Sequence, residues 1–483
     1  MKYVSTRNNK DIQNASFAIL NSLSKDGGLY VPENFPKFSK KDLEKLSSLN
    51  YTDLCFEILK LFFDEFDEND LKDAIEKAYG KFKEKIVGFK KMDAITNLEL
   101  FWGPTLAFKD MALSLLPYLL KLSVKKENFK KNIMILTATS GDTGKASLEA
   151  FKDVENTEIT VLYPTDGVSE IQKLQMATTT GKNTHVYAIK GNFDDCQRKV
   201  KEIFENDEMK NFADENNFIF SSANSINIGR LLPQIVYYFY AYFRIIENEN
   251  MNILDKIDVS VPTGNFGDIL AGIYAKEMNL PIKNFIVASN SNNVLTDFFN
   301  TKIYDSKRNL IKTSSPSMDI LISSNLERYL YLLCKDTNVI NKKMNELKNT
   351  GKFKRDLDFP DDISAKFATE KDVSETIYNA YLSYNYIMDP HSAIAFFAMK
   401  NNLKRQSLVI STASCYKFPN KILESLKLDP DKDIEKNLQL LSFYATYEIP
   451  DELKDLKNKK ILHKEILSKN EIEEKIKTLL EKK

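Results

Sequence analysis

Lys109 lies near the end of the stretch GPTLAFKD, which leads into an apolar run. If both are read as one helix, the lysine falls on its apolar side. When residues 105–121 are projected at 3.6 residues per turn, the stripe that contains Lys109 also holds Ala112, Leu113, Leu116 and Leu120. The opposite stripe holds Asp110, Ser114, Pro117 and Lys121. A buried ammonium is costly unless it is paired or loses its charge. Lys109 therefore either keeps its charged end in water, which the lysine alone favours, or holds an aldehyde as a Schiff base.

A hydroxyl-rich loop, TATSGDT at 137–143, joins a predicted strand to a predicted helix. Free N–H groups and the helix dipole favour an anion at such a position, and an ordinary connection capped by Asp142 or Thr143 fits equally well. A Walker A loop is excluded. Thr139 stands where that motif needs its first glycine, and Ala146 stands where Ser or Thr must bind magnesium.

Two further segments have the composition of anion sites. In TGNFGD at 263–268, two glycines allow a tight turn and close backbone approach, so a phosphate nest is favoured over a plain turn. In SSANSINIGR at 221–230, amide and hydroxyl donors precede Arg230, which suits a phosphate or carboxylate. Taken by itself, the second segment is better explained as an ordinary polar helix entry.

Two other loops have single candidate groups. In STASCYKF, Thr412 presents a hydroxyl at a predicted strand end, and Cys415 is interpreted as a bystander rather than a nucleophile. In MDPHSA at 388–393, the histidine is interpreted as a capping or packing residue.

The composition excludes several function classes. Lys and Arg total 68, as do Asp and Glu, so no net charge draws the chain to nucleic acid or an anionic membrane. The N-terminus lacks the apolar segment of a signal peptide, and the apolar stretch at 231–243 is too short to span a bilayer, so we expect a buried helix. Four dispersed cysteines indicate free thiols in the cytoplasm, and three scattered histidines predict no metal site.

Alternating strand and helix patterns predict an α/β fold with parallel sheets covered by helices on both faces. In such sheets, ligands bind where the carboxyl ends of strands lead into the next helix. The predicted strands are 132–136, 158–164, 256–261, 284–289 and 407–412.

Together these segments identify a family. ELFWGPTLAFKD, LTATSGDTG, SSANSINIGRL, VPTGNFGD, SPSMDI, DPHSA and STASCYKF occur in this order in threonine synthases, and the chain resembles that family over nearly its whole length. SFAILNSLSKDGGLYVP is similar to the start of the long-chain bacterial and fungal branch. The resemblance implies the fold type II architecture of pyridoxal-phosphate enzymes, with two parallel-rich open sheets and an N-terminal mainly helical domain. The expected units are 1–98, a large cofactor-binding domain of 99–130 with 250–483, and a small substrate-side domain of 131–249.

The resemblance also implies residue roles. Lys109 is expected to form the Schiff base with pyridoxal 5'-phosphate, Asp142 to face the pyridine 3-hydroxyl, and Thr412 to meet the pyridine nitrogen. The expected cradle for the cofactor phosphate is Gly264, Asn265, Phe266, Gly267 and Asp268. Thr139, Ser140 and Thr143 are expected to contact the substrate carboxylate or phosphate. Asn224, Ser225 and Arg230 are expected to hold the substrate phosphate.

The implied activity is that of a carbon–oxygen lyase that converts O-phospho-L-homoserine and water to L-threonine and phosphate. The chain departs from the family pattern at Trp102, where a histidine is usual, and at Ser414-Cys415, where His-Pro is usual. These departures keep open a phospho-lyase that releases 2-oxobutyrate and ammonia from the same substrate. A non-catalytic relative that binds the cofactor is the alternative from another class. We expect a monomer or homodimer without nucleic-acid or membrane partners.

Overall fold

The computed structural model describes residues 1–165 and 168–481. Its strands are β1 (Tyr3–Ser5), β2 (Ile12–Gln13), β3 (Tyr30–Pro32), β4 (Gly88–Met92), β5 (Ile95–Glu99), β6 (Asn132–Ala138), β7 (Thr157–Pro164), β8 (Thr184–Ile189), β9 (Phe218–Ser222), β10 (Ile257–Pro262), β11 (Ile282–Ser289), β12 (Ile303–Asp305), β13 (Lys352–Lys354), β14 (Ile363–Phe367), β15 (Ser407–Ser411) and β16 (Ile466–Leu467). Its α-helices are α1 (Ala15–Asn21), α2 (Lys40–Ser47), α3 (Tyr51–Leu59), α4 (Glu68–Tyr79), α5 (Asp110–Leu113), α6 (Leu116–Lys126), α7 (Asp142–Phe151), α8 (Glu170–Ala177), α9 (Phe193–Glu205), α10 (Asp207–Glu215), α11 (Ile228–Leu231), α12 (Pro233–Asn248), α13 (Gly267–Glu277), α14 (Val294–Thr301), α15 (Leu326–Cys334), α16 (Thr337–Thr350), α17 (Glu370–Tyr384), α18 (Pro390–Lys400), α19 (Pro419–Ser425), α20 (Ile434–Ser442) and α21 (Ile472–Glu481).

The larger sheet has the strand order β14-β11-β10-β15-β5-β4, and only β4 runs antiparallel to its neighbour. Its central strands β10 and β15 are buried at every position, as expected for parallel strands covered on both faces. Helix α18 packs across β10, β11 and β15. The predicted α/β class and the parallel-rich sheets are confirmed.

The smaller sheet has the order β16-β8-β7-β6-β9, and all its pairs are parallel. The C-terminal segment completes it, because Ile466 pairs with Ala188 and the apolar side of α21 packs into the same core. Residues 466–481 thus lie with the small sheet, whereas the sequence assigned them to the large domain of 99–130 with 250–483.

Two other boundaries differ from the predicted units. Residues 88–99 form β4 and β5 of the larger sheet rather than the end of the N-terminal unit of 1–98, since β5 pairs with β15. Helix α12 packs on α13 and α3, away from the small sheet to which 131–249 assigned it. The N-terminal unit itself contains a three-stranded antiparallel sheet of β1–β3 and helices α1–α4.

Every strand that the sequence predicted forms, with ends within two residues of the predicted ones. Most of the apolar stretch at 231–243 lies in α12, which begins at Pro233, a favoured position for proline. This part of α12 is almost entirely buried. Among the described residues, no helix is long and apolar enough to cross a membrane.

The predicted single helix over 105–121 is wrong in its bounds. Residues 103–109 form a turn, and the helical part is divided into α5 and α6. Asp110, expected on a polar face, is 2% exposed because its carboxylate accepts hydrogen bonds from the Thr105 N–H at 2.7 Å and the Thr105 hydroxyl at 2.6 Å. This local bonding fixes the turn, and Lys109 stands immediately before the first helical residue.

Candidate active site

One cavity lies between the two sheets, at the ends of β6, β10 and β15. It encloses about 850 Å³ of empty space, counting its open mouth. The structure brings every site residue predicted from the sequence to its wall: Lys109, Thr139, Ser140, Asp142, Thr143, Asn224, Ser225, Arg230, Gly264, Asn265, Phe266, Gly267, Asp268 and Thr412. The carboxyl ends of parallel strands therefore form the wall, as the general rule for open α/β sheets requires.

Lys109 contributes a primary amine to this wall. The Nζ atom lies 4.1 Å from the centre of the Phe108 ring, and the side chain is partly buried. The pKa of Lys109 is lowered to about 7. Burial is the main cause, and the positive charge of the nearby Arg230 guanidinium contributes to the same shift. An amine with this pKa is largely neutral just above pH 7, which is the form that reacts with an aldehyde.

The loop between β10 and α13 has the geometry of an anion nest. Phe266 adopts the left-handed conformation at φ 64°, and the helix begins at the next residue, Gly267. The N–H groups of the first helical turn have no partner within the helix, and a left-handed residue before them turns successive N–H groups inward. At Gly264, an added Cβ atom would lie 3.0 Å from the Ser317 carbonyl oxygen, so the loop packs too closely for a side chain.

Asp268 follows the nest, but its carboxylate faces other partners. Its Oδ1 atom accepts hydrogen bonds from the hydroxyls of Tyr237 at 2.7 Å and Tyr238 at 2.6 Å. Its Oδ2 atom is buried and has no hydrogen-bond partner among the described residues. Burial raises the pKa of Asp268 to about 6, against the effect of the two tyrosine hydroxyls.

A second group of residues that could bind an anion lies at and before the start of α11, on the wall of the same cavity. Arg230 is 3% exposed, and its Nη1 atom donates to the Ala223 carbonyl at 2.7 Å. Its Nε–H has no partner in the described part of the chain, and burial lowers its pKa to about 10. The Asn224 side-chain oxygen accepts from the Ala138 N–H, and its Nδ2 donates to the Ala138 carbonyl. These two hydrogen bonds hold the segment against the end of β6.

The start of α7 differs from the capping that the sequence suggested. Neither Asp142 nor Thr143 is the N-cap, which is Gly141 at φ 142°. The Thr139 hydroxyl accepts from the N–H groups of Gly141 at 2.9 Å and Gly144 at 2.8 Å, so this side chain takes over the capping. Asp142 is free to bind elsewhere, and its carboxylate accepts from Gln172 Nε2 at 2.7 Å.

The backbone ties Thr412, at the end of β15, to the turn of Lys109. Its carbonyl oxygen accepts from the Phe108 N–H at 2.8 Å, and its own N–H donates to the Ser392 hydroxyl at 3.0 Å. The side chain, 5% exposed, lines the cavity.

Sequence reasoning missed several cavity residues. The cavity also touches Gln234, Ser317, Met318, Phe193 and His391. His391 was read as a capping or packing residue, and it does bond Asp389 at the start of α18, but its Nε2 atom also accepts the Ser317 N–H at 3.3 Å within the cavity wall. The motifs DPHSA and SPSMDI were the available signal.

The arrangement fits pyridoxal phosphate. A desolvated lysine amine, a glycine-rich nest for one phosphate and a buried guanidinium whose Nε–H has no partner among the described residues surround the same space. Within residues 1–165 and 168–481, no cluster of three or more His, Cys, Asp or Glu side chains could hold a metal ion. Trp102 and Ser414-Cys415 are not among the residues that line the cavity.

Comparisons with known proteins agree with this geometry. Residues 2–79 match the family model described as the threonine synthase N terminus, and residues 97–412 match the model of pyridoxal-phosphate dependent enzymes. The chain is 35% identical to the threonine synthase of Saccharomyces cerevisiae over 95% of both chains. It is 37% identical to that of Pseudomonas aeruginosa, over 87% of this chain and 90% of the relative.

Solved structures give the same result. The crystal structure of pyridoxal-phosphate-bound threonine synthase from Brucella melitensis matches with a TM-score of 0.85 at 34% identity and 99% coverage of both chains. The structure of the yeast enzyme matches with a TM-score of 0.86 at 32% identity, over 100% of this chain and 99% of that one. The chain therefore belongs to the threonine synthase family of pyridoxal-phosphate-dependent enzymes.

Proposed function

We propose that this protein converts O-phospho-L-homoserine and water to L-threonine and phosphate. The observation that supports the proposal most strongly is the presence of two separate anion-binding groups around one lysine. The nest at the start of α13 suits the cofactor phosphate, and the buried Arg230 with its unpartnered Nε–H suits the phosphate of a substrate. An enzyme acting on an unphosphorylated amino acid would not need the second group.

Each residue then has a defined task. Lys109 would hold the cofactor covalently, and its amine, neutral above about pH 7, would take the α-proton of the substrate and return protons later. The backbone at Gly264–Asp268 would bind the cofactor phosphate. Arg230, Asn224 and Ser225 would hold the substrate phosphate until it leaves from the γ-carbon. When bound, pyridoxal phosphate supplies the electron sink for this carbanion chemistry.

The remaining predicted contacts would be made to the cofactor ring and to the substrate. Thr412 would face the pyridine nitrogen with a neutral hydroxyl, which cannot hold that nitrogen protonated as a carboxylate would. Asp142 would face the 3-hydroxyl. Thr139, Ser140 and Thr143 would orient the substrate at the start of α7, where the helix dipole favours an anion. Once a β-proton has been removed and phosphate has left the γ-carbon, water would add at the β-carbon and a proton would return to the γ-carbon, which gives L-threonine.

The rival activity is a phospho-lyase that releases 2-oxobutyrate and ammonia from the same substrate. Its motivation was the two departures from the family motifs, and neither of them touches the cavity. The two departures therefore give the phospho-lyase no support at the cavity wall, which favours the synthase.

Product analysis tests the proposal. Purified holoenzyme is incubated with O-phosphohomoserine, and phosphate, threonine, 2-oxobutyrate and ammonia are measured together. We expect one threonine for each phosphate, and a Lys109→Ala variant that forms neither. Release of 2-oxobutyrate and ammonia in place of threonine would establish the phospho-lyase, and no phosphate release would establish a non-catalytic relative.

We also propose a cytoplasmic monomer or homodimer that binds its cofactor and its small-molecule substrate and has no nucleic-acid or membrane partner. Cys55, Cys334 and Cys415 are free thiols, as in proteins of a reducing compartment. Light scattering of the purified protein measures the assembly, and localisation of the tagged chain tests the compartment.

A further inference from the structure

A buried ion pair lies beneath the cavity, and one of its members is absent from the predicted site. Lys417 Nζ lies 2.6 Å from Asp142 Oδ1, and the two side chains are 0% and 5% exposed. A lysine is almost never fully buried unless it is paired. The sequence singled out Asp142 but read Lys417 only as part of the motif STASCYKF.

The Lys417 ammonium joins three segments of the molecule. Lys417 ends a turn of 3₁₀ helix, Cys415–Lys417, that follows β15 of the larger sheet. Its partner Asp142 begins α7 of the smaller sheet. The ammonium also donates to the Thr105 carbonyl at 2.9 Å, in the turn that leads to Lys109. One side chain thus connects the loop of Thr412, the turn of Lys109 and the helix start on the opposite side of the cavity.

The remaining partners of Asp142 are all donors. Gln172 Nε2 on α8 lies 2.7 Å from Oδ1, and the Ser317 hydroxyl lies 3.3 Å from Oδ2. Gly141 permits this approach, because a Cβ atom at that residue would lie 2.4 Å from the Gln172 side chain. A carboxylate with only donors around it, at the first residue of a helix, is stabilised in its ionised form.

Other charged groups face the pair from neighbouring elements. His391 on α18 and Lys109 face Asp142, and Asp110 at the start of α5 faces Lys417. Burial acts to raise the pKa of Asp142, but the Lys417 ammonium, His391 and Gln172 together outweigh burial and bring the pKa down to about 2, with Lys417 the largest of the three. Lys417 is therefore the principal group that keeps this buried carboxyl charged.

We propose that Lys417 is a positioning residue of the active site: its ammonium keeps Asp142 ionised and fixes the start of α7 against the turn that precedes Lys109. Asp142 then remains an acceptor toward whatever it faces in the cavity. The inference deepens the proposed function, on which its catalytic meaning rests, but the ion pair and its effect on Asp142 are testable without turnover.

The test is a double-mutant cycle of Lys417→Met, Asp142→Asn and the double variant, measured as thermal unfolding of each holoenzyme from pH 5 to pH 8. In the wild type, the folded pKa of Asp142 lies below its ordinary value of 3.8, so its stabilising effect is fully present across this window. In Lys417→Met, burial is opposed only by the smaller effects of His391 and Gln172, so that pKa rises. We expect Tm of this variant to fall further below wild type as pH rises, by a few degrees between pH 5 and pH 8.

The double variant separates pairing from packing. Neither charge is buried alone there, so we expect it to be more stable than Lys417→Met and to show no added pH dependence relative to Asp142→Asn. A Tm difference between wild type and Lys417→Met that is the same at every pH, and unchanged in the Asp142→Asn background, overturns the proposal. If Lys417→Met does not fold, a folded double variant supports the pairing, and a double variant that also fails to fold overturns it.

The absorbance of the bound cofactor gives a second readout. Lys417→Met should show a new pH-dependent transition that is absent from the wild type and from the double variant, and Lys417→Arg should restore most of the wild-type profile. If the cofactor spectra of wild type and Lys417→Met coincide at every pH, Lys417 has no effect on the site. If the wild-type protein shows no turnover but the variants follow the expected Tm pattern, the proposed function is wrong and the proposed role of Lys417 stands.

Discussion

Trp102 packs against Tyr447 with ring centroids 5.3 Å apart. The hydroxyl of the same tyrosine lies 2.9 Å from the Ser414 hydroxyl and 3.4 Å from Cys415 Sγ. Both departures from the family motifs therefore meet at one aromatic residue, beside the cavity and not in it. We interpret them as one joint change in the packing around Tyr447 rather than as two independent changes in the active site.

This packing predicts a stability effect without a change of product. Trp102→His loses ring contacts with Phe101 and Tyr447 and the Lys85 ammonium that lies 3.8 Å from the Trp102 ring centre. We expect the free energy of unfolding to fall by about 2 kcal/mol. The ratio of threonine to 2-oxobutyrate should stay as in wild type, measured by product analysis beside urea unfolding.

The matched control is Trp102→Phe, which keeps an aromatic ring against Tyr447 and should lose less stability than Trp102→His. If either variant changes the product ratio while its unfolding curve matches wild type, the residue acts on the reaction, and the interpretation of Trp102 as a packing residue is wrong.

Local chemistry at strand ends was readable from the sequence. Hydroxyl, glycine and amide residues directly after apolar runs predicted which side chains line the cavity, because the carboxyl ends of parallel strands meet at one edge. The Lys417–Asp142 pair was not readable. Asp142 follows a strand of the smaller sheet and Lys417 follows a strand of the larger one, far apart in the chain. Neither a local pattern nor a periodicity predicts a contact between them.

The same limit explains the errors in the element boundaries. The helix projected over 105–121 ignored that the Asp110 carboxylate folds back onto Thr105, which ends the turn and delays the helix. The C-terminal segment of 454–483 is rich in Lys and Glu, which by composition alone indicates a solvated helix face. Its buried residues Ile472, Ile476 and Leu480 do recur at helical spacing, so the signal for a packed α21 was present but masked by composition.

The pKa of Lys109, about 7, predicts how the apo-enzyme captures its cofactor. The neutral amine reacts, and its fraction rises from about 10% at pH 6 to about 90% at pH 8. We therefore expect the rate of pyridoxal-phosphate capture by apo-enzyme, followed by stopped-flow absorbance, to rise about ninefold across this range with a midpoint near 7.

A free alkylamine provides the control, because its ordinary pKa lies far above this range and its neutral fraction therefore rises about 100-fold between pH 6 and pH 8 without levelling off. A capture rate that levels off above pH 7 is then specific to Lys109. Arg230→Gln removes the second cause of the low pKa of Lys109, so its midpoint should move upward. A capture rate that does not change between pH 6 and pH 8 would show that the Lys109 amine is not the group that titrates.

Arg230 should act on the substrate and not on cofactor retention. Its Nε–H is buried and unpartnered in the described part of the chain, and a phosphate group would satisfy it. Losing a buried charged hydrogen-bond partner costs about 3 kcal/mol, so Arg230→Ala should lower kcat/KM for O-phosphohomoserine about 100-fold. Cofactor content, measured by absorbance of the dialysed protein, should match wild type.

Two comparisons make this prediction specific. Arg230→Lys should recover only part of the loss, because an ammonium lacks the planar fork of the guanidinium. Inhibition by inorganic phosphate should weaken in parallel with kcat/KM in Arg230→Ala. Equal losses of cofactor and activity would instead assign Arg230 to the structure of the cavity.

Asp268 gives a stability prediction with a definite sign. Its folded pKa, about 6, lies above the ordinary value of 3.8, so the folded state binds the proton more tightly than the unfolded state. The cost of ionising it in the fold appears as pH rises from about 4 to about 6 and is complete above that range. A difference of about two pH units corresponds to about 3 kcal/mol.

Asp268→Asn removes this cost while keeping an Oδ1 acceptor for the hydroxyls of Tyr237 and Tyr238. Urea unfolding of the apo-enzyme should therefore show equal stability of variant and wild type near pH 4, and a variant more stable by about 3 kcal/mol at pH 8. Asp268→Leu also removes the charge but leaves both tyrosine hydroxyls without their acceptor, so it should destabilise the apo-enzyme at low pH, where wild-type Asp268 is neutral. A difference between Asp268→Asn and wild type that stays constant with pH would mean that this carboxyl does not titrate between pH 4 and pH 8.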